Sequence, residues 1–357
     1  ENDEDRMSSV AKDAHVEATP MKPWVRPRAS VQRDVLTFLG VALLSYVVVL
    51  FTGFARVDGW LIVFFVLSFG LIYARSRKMS PKDRRNALVQ VGIIAAAVVA
   101  FLPWMSILVS VISKGVTALR PNFFFRDMRT TTPDDELTLG GAAHALLGTL
   151  TMVIIATIIT LPLGILSGVY VTEIRGRLTK LVRFVVQSMS GVPSIVAGLF
   201  IYTTYVNATN SFSAFAGSLA LGVLMLPTVA RTSEEVLKLV PEDIRGASYA
   251  LGSRQWRTIL YVVLPTVRSG LTTAAILGVA RVIGETAPLL LTSLSNTSFV
   301  FNPIKGPMAS MPMYVFGLLQ IGTEYAIARA WAGSLVLLLI VFALFIIARK
   351  LGGKDRR

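Results

Sequence analysis

The sequence predicts an all-α membrane protein with about eight transmembrane helices, and three observations predict it. Of 357 residues, 54% are apolar and only 16% charged, with a mean hydropathy of +0.64; soluble domains carry about 25% charged residues. Eight stretches approach the length of about 20 apolar residues that a hydrocarbon core about 30 Å thick requires. Lys and Arg are gathered into alternate connecting segments, as in polytopic chains.

The eight stretches lie near 35–55, 59–75, 87–113, 143–171, 181–206, 213–230, 264–292 and 326–349. The second and sixth are the shortest. If the N-terminus is cytoplasmic, the inside segments 1–34, 75–85, 173–183, 231–257 and 349–357 hold 26 of the 35 basic residues. The outside segments hold 6, and Arg268, Arg281 and Arg329 lie within spans. This asymmetry predicts a multi-pass membrane protein with both termini cytoplasmic. It also accounts for a net charge of +14 without nucleic acid, since no basic stretch is interleaved with aromatic residues for stacking on bases.

Residues 1–34 are polar, mixed in charge and contain Pro20, Pro23 and Pro27; they read as a disordered cytoplasmic segment without a cleavable signal peptide. Residues 35–86 read as an accessory hairpin and basic linker. Residues 87–142 supply a first core helix and an extracytoplasmic loop, 143–350 the remaining core, and 351–357 a cytoplasmic tail. No cysteine is present and only His15 and His144 are histidines, so disulfides, thiolate metal sites and histidine clusters are not expected. His144 is expected to pack or cap at the start of a span. Gly164 and Gly168, four apart in the fourth span, suit close helix approach.

The longest inside loop of the core runs from Arg231 to about Trp256. Val236, Leu237, Leu239, Val240, Ile244, Ala247, Tyr249, Ala250 and Leu251 recur there at helical spacing, so short amphipathic helices are expected. A structured, partly apolar loop suits a soluble partner. Within it, Gly246-Ala247-Ser248-Tyr-Ala-Leu-Gly252 is followed by Val262-Val-Leu264-Pro265. Gly252 is placed to end one helix at φ > 0, and Pro265 to open the next span.

This run resembles the EAA signature of binding-protein-dependent ABC importer permeases. Ala247, Gly252, Leu264 and Pro265 match it; Gly246 stands for its Glu and Ser248 for its second Ala. A second run, Arg281-Val-Ile-Gly284-Glu285-Thr-Ala-Pro288-Leu, resembles phosphate permeases of the PstA type, as does Gly191-Val-Pro-Ser-Ile-Val-Ala-Gly-Leu-Phe200. The resemblance covers roughly 140–350. It implies a six-helix type I ABC importer core over 143–350 with the preceding span, the first two helices being an extension. It also implies a homologous permease subunit (PstC type), an ATPase dimer (PstB type) that binds ATP and magnesium, and an extracytoplasmic phosphate-binding protein (PstS type). Arg231, Glu234 and Glu235 resemble the charges that flank the loop, and read as helix-end charges or as part of the coupling surface. No Gly-x-x-x-x-Gly-Lys-Ser/Thr string occurs, so the chain cannot cradle nucleotide phosphates by a P-loop; no cofactor is expected in it, and ATP would be bound by a partner subunit.

Arg281 falls about 25 Å along a helix begun near Leu264. A charge at that depth costs about 2.5–3.5 kcal/mol. On a continuous helix Glu285 shares its face and can pair with it. The pair either lines an anion pathway, the guanidinium offering paired donors to phosphate, or is a salt bridge that fixes packing. Alternatives are a permease for another oxyanion, such as sulfate or molybdate, and a stand-alone secondary transporter or channel.

Overall fold

A computed structural model describes residues 28–52, 57–76 and 80–352. All regular structure among them is helical. Most of the expected disordered segment 1–34, Arg56 of the first hairpin turn and the last tail residues lie outside the described residues. Two compact units divide between Met105 and Ser106.

In the first unit, α1 (Arg28–Thr52) and α2 (Val57–Ser76) pack together. Phe38 meets Phe64 edge-on at 4.9 Å, and the Trp60 indole donates to the Ala42 carbonyl at 3.2 Å. Helix α3 (Pro81–Ala118) starts here and continues into the second unit. Ser80 caps it, accepting from the Asp83 amide while its hydroxyl donates to the Asp83 carboxylate.

In the second unit, α4 (Pro121–Phe125) precedes α5 (Ala143–Val169), which runs on through a π-helical turn, Tyr170–Ile174. Then come α6 (Thr179–Ser190), α7 (Ser194–Ile201, helical on to Thr209), α8 (Ala214–Lys238) and α9 (Glu242–Ala250). Helix α10 (Gln255–Thr258) runs on to Thr266. The chain closes with α11 (Arg268–Val282), α12 (Ala287–Thr292), α13 (Met311–Ile321) and α14 (Glu324–Gly352).

Helices α5 and α8 run parallel at the centre. Lipid gives no hydrophobic drive for helices to associate, so close packing has to hold them. A Cβ on Gly164 would lie 2.7 Å from Val229, and one on Gly168 would lie 3.0 Å from Ser233, so both glycines serve the expected close approach. Met152, Leu221, Met225, Val229 and Val282 fill the core between α5, α8 and α11.

Among the described residues four helices are long and apolar enough to cross a membrane, or six if each of two bent pairs is one span. These six overlap the last six expected stretches, although the bent pair Gln255–Thr266 with Arg268–Val282 begins and ends earlier than the expected 264–292. The apolar parts of the first two, Val35–Leu50 and Gly59–Arg75, are shorter.

The expected continuous helix over 181–206 is broken: α6 and the helix from Ser194 meet at 109°. Pro193 lacks an amide hydrogen and pushes Val192 out of helical backbone. The expected helix over 264–292 breaks twice. It turns by 74° between Thr266 and Arg268, so Pro265 ends the incoming leg instead of opening the span. It stops again before Ala287, where the Pro288 ring would collide with the Gly284 carbonyl. The sixth span outlasts its expected end and keeps Arg231, Glu234 and Glu235 helical to Lys238. Helix α13 lies in a segment expected to be loop. Ser310 caps it through the Met313 amide, and Gly322 at φ +78° ends it.

At the far end from α9, Arg329 is 2% exposed. Its guanidinium donates to the carbonyls of Pro133, Asp135, Glu136 and Leu139 at 2.7–2.9 Å, pinning the loop before α5. His144 packs edge-on against Tyr314 at 5.8 Å and caps nothing. Arg329→Lys leaves a point charge that cannot span four carbonyls. It should cost about 2–4 kcal/mol, read as a lower thermal midpoint and faster proteolysis within 133–139.

Candidate functional site

The signature residues gather at the end of the bundle where α8 finishes. Pro241 sets extended backbone before α9, and Glu242 and Asp243 in the first turn favour the helix dipole. Gly252 at φ +77° terminates the loop helix, with the Ser253 amide returning to the Ser248 carbonyl. The second leg, from Gln255 to Thr266, seats Ile259 and Val263 with partly buried Leu264 against Val169, Leu237 and Val240; Pro265 is exposed.

None of α9's nine residues is buried. Arg245 and Ser248, three apart, are half-buried and face the bundle; Gly246, Ala247, Tyr249 and Ala250 are exposed. Ser248 and Thr258 share a hydroxyl–hydroxyl bond of 2.9 Å that ties the two legs. Arg245 forms a fork with Glu173, Nε to Oε2 at 3.0 Å and Nη2 to Oε1 at 2.7 Å. It also donates to the Leu237 and Val240 carbonyls at the end of α8. Hydrogen bonding to Glu173 holds the Arg245 guanidinium above its ordinary pKa. Apolar side chains project outward along the loop: Tyr249, Trp256 and above all Leu251, 88% exposed.

Beside α9, Glu234 takes Arg183 at 2.9 Å and Lys238 at 3.0 Å, and Glu235 also takes Lys238. Arg231 lines a cleft of about 300 Å³ with Arg183, Gln187, Glu234, Glu235 and Lys238. These flanking charges therefore adjoin the loop.

Arg281 and Glu285 lie apart from it. Arg281 is about 20 Å along α11 from Arg268, exposed, and donates to Thr228 Oγ1 of α8 at 3.1 Å. Because the helix stops at Val282 and resumes only at Ala287, the expected shared face is lost. Among the described residues no ion pair joins Arg281 to Glu285. Thr228, Arg281 and Gly284 all remain at least partly open to the surface of the isolated chain. No described cluster of His, Cys, Asp or Glu could hold a metal ion.

Sequence reasoning passed over Arg245, Glu173, Gln255, Arg183 and Thr228. One signal was present: Glu173 is the only acidic residue between Glu136 and Glu234.

The arrangement is that of a helical membrane protein whose loop after α8 is itself structured. Residues 160–354 match the family described as binding-protein-dependent transport system inner membrane component. The phosphate transport system permease protein PstA of Yersinia pestis is 36% identical over 288 residues, 80% of this chain and 96% of that one. PstA 1 of Mycobacterium tuberculosis is 38% identical over 261 residues, covering 72% and 85%. PstA of Pasteurella multocida is 39% identical over 247 residues, covering 68% and 85%. The chain belongs to this family of inner-membrane transport components, and within it to the PstA-type permeases.

A Cβ on Gly246 meets nothing within 4 Å. Gly246→Ala should therefore stabilise α9 by about 0.5–1 kcal/mol. Gly252→Ala, forced into φ > 0, should destabilise it by about 1–2 kcal/mol. Opposite shifts in proteolytic protection of the loop would be the measured outcome.

Proposed function

We propose that this chain is the membrane permease of an ATP-driven importer carrying inorganic phosphate into the bacterial cytoplasm. The observation that carries the reading is Arg281, a guanidinium held by Thr228 on an unburied face of α11 beside a break in the helix. Charge and open backbone at membrane depth are tolerated only against protein or a water-filled cavity. That face therefore needs a covering subunit, and a polar passage between the two suits an oxyanion. The relatives named for phosphate transport supply the substrate.

The covering subunit is a homologous permease of the PstC type. The outward side chains of α9 and the following turn dock an ATPase of the PstB type, present as two copies, which binds ATP and magnesium. A phosphate-binding protein of the PstS type delivers substrate from outside. The chain itself hydrolyses nothing; it alternates access as the ATPase pair opens and closes. The gathering of Lys and Arg in alternate connecting segments supports a cytoplasmic position for α9 and both termini. Glu285 lies near the passage and keeps the local field from trapping the anion.

Arg281→Gln removes a charge-assisted contact worth about 1.5–3 kcal/mol, so phosphate kcat/KM should fall about 10- to 100-fold in a normally assembled complex. Wild-type uptake would remove Arg281 from the passage. Tyr249→Asp with Leu251→Asp should abolish co-purification of the ATPase while the permease pair stays intact.

A further inference from the structure

Helix α9 has a fixed place on the bundle although it buries none of its residues. A helix of nine residues is not stable alone, so its position depends on a few polar anchors. Ser248 joins it only to Thr258, on the other leg of the same loop. Arg245 is different, because it reaches helices outside the loop.

The Arg245 fork ends on Glu173, whose side chain is 5% exposed, in the π-helical turn that continues α5. The same guanidinium holds the last carbonyls of α8 through Leu237 and Val240. The second leg arrives at the same point: Gln255 Nε2 donates to the Glu173 backbone carbonyl at 2.9 Å. Both legs of the loop are thus tied to one residue of α5. Helices α5 and α8 are in turn the pair in glycine contact, and α8 carries Thr228, the partner of Arg281.

We infer that the Arg245–Glu173 pair is the joint through which movement of α9 is passed to α5 and α8, which makes both of them positioning residues for transport. The inference rests on α9 being the ATPase-docking helix. A two-bond fork fixes direction as well as distance, so a displaced α9 carries α5 and α8 with it. Without the fork, α9 keeps Ser248 and its outward apolar face, and it can still dock while slipping against the bundle.

The test uses the full complex, purified with its ATPase and reconstituted in proteoliposomes, with phosphate uptake and ATP hydrolysis measured together. Arg245→Gln and Glu173→Gln should each leave the ATPase bound and hydrolysing ATP. Each should lower phosphate moved per ATP several-fold, and the double variant should fall no further than the worse single one, as expected for one shared interaction. Glu173→Asp keeps the charge but shortens its reach, so it should give an intermediate ratio even if the Gln variants fold poorly. An unchanged ratio, or losses that multiply in the double variant, would overturn the joint. Loss of the bound ATPase in either Gln variant would also overturn it, assigning Arg245 to docking alone. Should the ATPase survive Tyr249→Asp with Leu251→Asp, the docking reading itself fails, which is a separate result.

Discussion

Hydrocarbon offers no hydrogen-bond partner, so each polar group that leaves a helix in this chain has to be met by another part of the protein. That constraint orders the second unit. Where α13 begins, the Met311 amide is met by the Thr149 hydroxyl of α5 at 2.7 Å. Where α8 begins, the Ser213 amide returns to the Thr292 carbonyl at the end of α12. Where the loop before α5 turns, Arg329 collects four carbonyls. Arg329 has no carboxylate partner among the described residues; it is held by dipoles alone, and its burial shows how completely that loop depends on it.

The same constraint separates what is rigid from what is free to move. Helices α5 and α8 touch through Gly164 and Gly168 at distances that leave no room for a side chain. Close-packed interiors transmit displacement instead of absorbing it. At the α9 end the contacts change in kind, from glycine against valine to guanidinium against carboxylate and carbonyl. A polar joint of this type can reorient while staying paired, whereas the glycine seam cannot slide without collision. The seam and the joint together let a surface helix act on the interior without opening the core.

Much of this was legible in the sequence, and the exceptions have physical causes. Hydropathy found the apolar helices of the last six stretches because length and apolarity are summed properties of a window. The same summation hid the breaks: Val192 and Pro193, or Ile283 and Ala287, are apolar enough to pass through a window while their backbone turns. The pairing of Arg281 with Glu285 followed from assuming one helix. Gly284 and Pro288 were visible as breakers, yet the apolar run on either side outweighed them. Helix α13 carried its cap in Ser310 and its stop in Gly322 but was too short to register as a span. Arg329 could not be placed from sequence, because carbonyl acceptors have no residue identity. The fork between Arg245 and Glu173 joins positions 72 apart, and only the standing of Glu173 as the one acidic residue between Glu136 and Glu234 hinted at it.

The departures from the signature make sense once the two faces of α9 are distinguished. Its inward face is carried by Arg245 and Ser248, three apart, and both are engaged. Ser248 stands where the signature has Ala, and its hydroxyl adds a tie to Thr258 that an alanine could not make. Gly246 stands where the signature has Glu, on the outward face, with open space around its Cβ position. Replacing Glu there removes nothing that holds α9 on the bundle; it removes a side chain that could only have reached outward. The seating of α9 on the bundle is therefore unchanged, the helix gives up only the propensity that glycine forfeits, and the exposed surface loses a carboxylate. The outward face is left apolar, through the exposed side chains of Tyr249, Leu251 and Trp256.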